Sequence, residues 1–178
     1  SDEIYSRIIY DGKFRSIASI PGMKDRTIIL DGFSKTYAMT GWRIGYGVMP
    51  GDLAEQIARL ETNCESCTAT FTQMAAIEAY KGNQDETEKM IAEFRQRRDI
   101  IVEGLNNIKG ISCLLPGGAF YVFPNVTEAC SNLGFKDSKE LQEYLLYKGD
   151  VAVLPRTSFG VKNEGEKDEY IRLSYATS

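Results

Sequence analysis

Apolar and polar positions along the chain follow two periods, one of strands and one of helices. Residues 27–31, TIILD, are a short apolar run ending at Gly32, as in a buried strand. GWRIGYGVMP, 41–50, reads as a second strand, ended by Pro50-Gly51. In 52–62, DLAEQIARLET, Leu53, Ile57 and Leu60 recur at helical spacing, and a further helix is predicted over 70–81, closed by Gly82. The longest periodic segment is 84–108. There Met90, Phe94, Ile101, Leu105 and Ile108 form one stripe, helped by Ile91 and Val102. Asn83 with Glu86 resembles a capping box, and Gly110 sits just past the end. The last third predicts strands at 119–126, 151–155 and 170–176. A helix is predicted over 138–148, with Asp137 or Ser138 as cap and Gly149 as stop. The order of elements is that of an α/β protein, with a compact α/β module after the long helix.

A length of 178 residues allows one domain, or one and a part, with a real core. The 43% hydrophobic and 26% charged fractions fit a soluble globular chain rather than a disordered one. A net charge of −4 suggests neither nucleic acid nor an anionic membrane as partner. No apolar run approaches the roughly 20 residues of a membrane span, and SDEIYSRIIYDGKF has no signal-peptide pattern. Of Cys64, Cys67, Cys113 and Cys130, only the first two form a CxxC. That spacing suits a redox motif or half a zinc site, but no second CxxC and no histidine is present to complete one. Free thiols and a reducing, cytoplasmic setting are the expectation. With no histidine, acid–base chemistry falls to Lys, Tyr, Asp, Glu or Cys. The chain opens without a strand to feed SDEIY and stops at RLSYATS on the edge of a strand. It reads as a piece of a longer protein.

One segment stands out chemically, DGFSKTYAMTGWRIGYGVMP at 31–50. Lys35 follows the C-terminal end of a predicted strand, where α/β folds place ligand-contacting groups. A lysine can form an imine with an aldehyde cofactor. Arg43, eight residues on, carries a fork of donors suited to phosphate or carboxylate. Gly32, Ser34, Ala38 and Gly41 are small enough to let backbone approach a bound group. By position alone, Lys35 would be a solvated surface lysine, Asp2 an exposed acid, Tyr5 a packing residue and Arg172 a solvated strand arginine.

GFSKTYAMTGWRIG resembles the lysine signature of the class I and II aminotransferases, fold-type-I enzymes of the aspartate aminotransferase superfamily. SDEIYSRIIYDG at 1–12 resembles the family's Asp-Glu-x-Tyr segment. PGGAFYVFP at 116–124 is similar to its glycine-aromatic strand, and YIRLSYATS at 170–178 to its arginine strand. The resemblance runs from first residue to last and covers the second half of the family's chain. It implies a partial large domain of mainly parallel sheet with helices (1–82), a long connecting helix (83–109) and a small α/β C-terminal domain (110–178). It also implies pyridoxal 5′-phosphate as cofactor. Asp2 would then pair with the pyridine nitrogen, and Tyr5 would hydrogen-bond the phenolate oxygen. Lys35 would form the imine and later move a proton, and Arg43 would hold the phosphate. Arg172 would grip a substrate α-carboxylate, and Trp42 would pack. Tyr37 has no assignable polar role.

Many relatives have a phosphate-binding serine three residues before the lysine, where this chain has Gly32. The implied partners are an L-amino acid, a 2-oxo acid and a second copy in a homodimer. The wording is most like prokaryotic aspartate aminotransferases. Alternatives on the same fold are a C–S lyase, a cyclopropane-forming synthase, or a non-catalytic cofactor-sensing domain of a transcription regulator. The chain by itself is expected not to transaminate.

Overall fold

Residues 1–177 are described by a computed structural model, in which the chain forms two compact units, Ser1–Ile91 and Ala92 onward. Ser178, the last residue of the YIRLSYATS segment, lies outside the described residues.

In the first unit, β1 (Ile29–Gly32) pairs with β2 (Gly45–Val48), from Ile29 opposite Val48 to Gly32 opposite Gly45. The pairing is antiparallel, which corrects the expectation of a mainly parallel sheet within this chain. A parallel return needs a crossover of about a dozen or more residues, usually helical. Here residues 33–44 form no α-helix that could make that crossover, and turns, among them the 3-10 turn Thr40–Trp42, bring the chain back. Parallel pairing among the described residues is confined to Asp2 beside Leu30. There the Glu3 amide donates to the Leu30 carbonyl and the Leu30 amide to the Ser1 carbonyl, each at 2.8 Å. β2 starts later than its apolar pattern predicts, because Arg43 adopts a left-handed φ of 52°.

Two helices follow, α1 (Gly51–Cys64) and α2 (Thr70–Lys81). α2 buries Thr72 and Ala76, and Ala76 joins Phe33 and Met39 in a small core flanked by Ile44 and Tyr46. α1 buries no residue, and its predicted apolar stripe ends in Leu60, 60% exposed.

The long helix α3 spans Asp85–Asn106, and the boundary between the units falls inside it. The Asn83 side chain accepts from the Asp85 amide at 2.7 Å, but Glu86 pairs with Lys89 at 2.6 Å. The cap is thus an Asn cap rather than a reciprocal box.

In the second unit α3 buries Phe94, Arg98, Val102 and Leu105. Elements β3 (Tyr121–Val122), α4 (Thr127–Leu133), α5 (Ser138–Gly149), β4 (Leu154–Pro155) and β5 (Ile171–Ser174) follow. Their sheet has the order β3-β5-β4, antiparallel throughout. The strand predicted over 119–126 shrinks to two residues: Ala119 takes φ 58°, and Pro124 has no amide to give to a ladder. Asp137 caps α5 by accepting from the Lys139 and Glu140 amides, each at 3.0 Å. Gly149 stays helical, and Asp150, at φ 55°, ends the helix. The short α4 has too few residues for a period to be read, and Gly134 closes it at φ 74°. Val126, Ala129, Cys130, Leu141, Val153 and Ile171 form the core, with Leu145 and Leu173 against it.

All four cysteines are free thiols, Cys64 and Cys67 exposed and Cys113 and Cys130 buried. Among the described residues no helix is long and apolar enough to cross a membrane.

Candidate active site

A cleft of about 530 Å³ in the first unit is lined by Asp2, Tyr5, Ser34, Lys35 and Arg43, together with Asp31 at the end of β1. Three pieces of backbone bring these residues together. The bridge of Asp2 to Leu30 lays the N-terminal segment along β1. The turn after β1 carries Ser34 and Lys35: the Tyr37 and Met39 amides both donate to the Phe33 carbonyl, at 3.2 and 3.4 Å. The end of the 3-10 turn that precedes β2 carries Arg43.

Two of the side chains are held locally. The Asp2 carboxylate accepts from the Ile4 amide at 3.2 Å, and Arg43 Nη1 donates to the Thr40 carbonyl at 2.9 Å. Ala38 and Arg43 both sit at φ 52° without being glycine. Such positions cost of order 1 to 3 kcal/mol each and cluster at sites where the surroundings impose them.

The missing serine hydroxyl at Gly32 has a steric reason. A Cβ there would meet Gly45 Cα at 3.0 Å and the Ile44 carbonyl at 3.1 Å. A serine would require its neighbours to give way by a few tenths of an ångström. Ser34, at a different place in the turn, also lines the cleft.

Asp31 was not anticipated. One of its oxygens accepts from the Gly32 amide at 2.6 Å and the other from the Tyr46 hydroxyl at 3.1 Å. Tyr46 also shares a short hydrogen bond with Tyr80 of α2. Burial pushes the Tyr46 phenol far up, and its bonds to Tyr80 and Asp31 push the same way, so it stays protonated as a donor. The signal in the sequence was a lone carboxylate closing an apolar strand.

Arg172 belongs to the second unit. Within it, β5 turns Ile171 and Tyr175 into buried positions, and Arg172 lies between two rings. Its guanidinium carbon is 4.4 Å from the Tyr121 ring centre and 4.7 Å from that of Phe159. Such stacking holds the planar fork in one orientation. Arg98 was also missed as a buried charge: 3% exposed, it bonds Asp99 and donates to the Pro116 carbonyl at 3.0 Å, at the start of the glycine-aromatic segment.

The family model of aminotransferase class I and II matches residues 1–178. The chain belongs to the class I and II aminotransferases. It is 42% identical over 180 residues to an aspartate aminotransferase of Geobacillus stearothermophilus, and 39% identical over 181 residues to aromatic-amino-acid aminotransferase 2 of Thermococcus litoralis. Both alignments take in 100% of this chain and 44% of the relative. The crystal structure of the aspartate aminotransferase from Rhizobium meliloti superposes with a TM-score of 0.88 at 38% identity. It covers 99% of this chain and 44% of that one. The chain therefore spans less than half the length of the aminotransferases it matches. The mixed α/β fold is that of the fold-type-I aminotransferase structures.

Enzymes of this aminotransferase family use pyridoxal 5′-phosphate. That molecule presents an aldehyde, a phosphate, a phenolate oxygen and a pyridine nitrogen. The cleft lining includes an amine, a guanidinium, a phenol and two carboxylates. The lining groups fit that molecule in kind.

Proposed function

We propose that the whole protein transfers an amino group from an L-amino acid to a 2-oxo acid by a ping-pong cycle, in the manner of aspartate aminotransferases. The observation that carries this reading is the gathering of Asp2, Tyr5, Lys35 and Arg43 in one cleft of a class I and II aminotransferase chain. Bound pyridoxal phosphate supplies the electron sink for the carbon acid chemistry.

The remaining work falls to the chain. Arg43 anchors the phosphate with charge-assisted hydrogen bonds. The Asp2 carboxylate holds a proton on the ring nitrogen, and the Tyr5 hydroxyl donates to the phenolate oxygen. The Lys35 amine, when not bonded to the cofactor, would move a proton between the substrate Cα and the cofactor's C4′ carbon. Arg172, flattened between Tyr121 and Phe159, pairs with the α-carboxylate through both nitrogens of its fork. The same reading makes the whole protein a cytoplasmic homodimer with the large-domain, connecting-helix and small-domain division drawn from the sequence. It leaves residues 1–178 alone without turnover.

The test uses the whole protein with pyridoxal phosphate, followed by near-ultraviolet and visible absorption while amino acids are added singly. A Lys35-dependent band that bleaches with one amino acid and returns with a 2-oxo acid supports the reading and names the substrates. A band that forms and never bleaches transfers the case to a lyase or a sensor. Absence of any Lys35-dependent band sinks the cofactor assignment.

A further inference from the structure

Tyr37, two residues after Lys35, has a polar role that its sequence context did not suggest. Its ring stacks on Phe33 at 5.7 Å. Its hydroxyl accepts from Arg7 Nη1 and donates to Gln84 Oε1 at 3.2 Å. Arg7 Nη1 also donates to Gln84 Oε1, at 3.0 Å, and the guanidinium lies 5.8 Å from the centre of the Tyr37 ring. Gln84 is itself fixed, since its Nε2 donates to the Ala79 and Gly82 carbonyls at 3.0 and 2.8 Å. The three groups close a triangle on an amide anchored to the end of α2.

The triangle joins two of the three backbone pieces that supply the cleft. Arg7 follows Tyr5 by two residues, in a stretch where the Ser6 amide donates to Glu3 and the Ile8 amide to Tyr5. Ile8, in the same stretch, is fully buried. Tyr37 stands in the same turn as Lys35. We infer that the Arg7–Tyr37–Gln84 triangle is a positioning brace, holding the Asp2–Tyr5 segment and the Lys35 turn at a fixed separation. Geometric error of about an ångström between reacting groups costs on the order of a hundredfold in rate, and the triangle adds a side-chain tie to the backbone bridge of Asp2 to Leu30.

The packing role and the brace separate cleanly. Tyr37→Phe keeps the stacked ring and removes only the hydroxyl. Hydrogen exchange of the whole protein without cofactor is the first readout, and it stands apart from the function proposed above. The brace predicts exchange about tenfold faster in peptides covering both 2–8 and 33–39. It also predicts that Tyr37→Phe combined with Arg7→Ala is no worse than either alone. Unchanged exchange in either peptide overturns the inference, whatever the cofactor proves to be.

The second readout rests on the proposed assignment of Lys35, Asp2 and Tyr5. In the holoenzyme, Tyr37→Phe should shift the pH midpoint of the Lys35-dependent absorption band and lower kcat about tenfold with little change in KM. Faster exchange with band midpoint, kcat and cofactor affinity all as in wild type would make the triangle merely structural and overturn the inference. A wild-type protein without a Lys35-dependent band would instead remove the functional reading, and the exchange data would still decide whether the brace exists.

Discussion

Arg172 in the second unit and Lys35 in the first rest on different kinds of support. Arg172 is on a strand whose neighbours Ile171 and Tyr175 are 3% and 4% exposed, over a core shared with α4, α5 and β4. Lys35 is on a turn, backed by the few residues around Phe33, Met39 and Ala76. Burial of apolar area holds the arginine. Directional hydrogen bonds, Asp31 to Tyr46 and Tyr37 to Arg7 and Gln84, hold the lysine. A site whose backbone must adopt φ 52° at Ala38 and Arg43 cannot be organised by a non-directional force alone.

The largest effect expected is at the lysine. Lys35→Ala in the whole protein should cut kcat by at least about a thousandfold while the unfolding midpoint stays near wild type. Steady-state kinetics beside a denaturant titration would show this, and a comparable loss of stability would break the contrast between the two supports. Next comes the core under Arg172. Ile171→Ala should cost about 2 to 5 kcal/mol in denaturant unfolding, and a cost below about 1 kcal/mol would mean the second unit is not held by this core.

Arg172→Lys keeps the charge and loses the fork stacked between Tyr121 and Phe159. It should raise the KM of the whole enzyme for its amino acid about tenfold or more, with kcat less affected. Equal KM values would remove the carboxylate role.

A smaller effect concerns acid. Arg156 grips Glu166 through both carboxylate oxygens, at 2.8 and 3.0 Å. That grip, with the Asn163 amide, holds the Glu166 carboxyl below its ordinary value of 4.5. A carboxyl lowered by folding contributes stability that is full above its unfolded value and is lost as pH falls through the folded one. The 156–166 segment should therefore hold from neutral pH down to about 4.5 and loosen below it, read by limited proteolysis across that range. Glu166→Gln should be loose at pH 7 and insensitive to further acid. The smallest effect is expected at the open face of α1: Leu60→Ala should change stability by no more than about 0.5 kcal/mol. A larger loss in the whole protein would show that the face is covered there.

Helices were legible where a capping residue stood at the start, as in α3 and α5. Asp137 and Asn83 both cap as their residue types suggest. Strands were overread, because an apolar run such as AFYVFPNV carries no mark of the positive φ at Ala119 that limits it. Arg98 was illegible for another reason. A charge amid Phe94 and Val102 looks like the solvated side of a helix until a carbonyl, here that of Pro116, comes near enough to satisfy it.

The sequence by itself determined the family, because a spaced set of chemical types (Asp2, Tyr5, Lys35, Arg43, Arg172) is a linear pattern and survives without coordinates. It also determined the long helices, whose hydrogen bonds are local. Only the tertiary structure decided that Asp2, Tyr5, Lys35 and Arg43 line one cleft, that Gly32 lies too close to Gly45 for a serine to fit without movement, and that Tyr37 meets Arg7 and Gln84. Those facts depend on distances between residues far apart in the chain. The paths of turns and the pairing of strands set such distances, and no local periodicity records them.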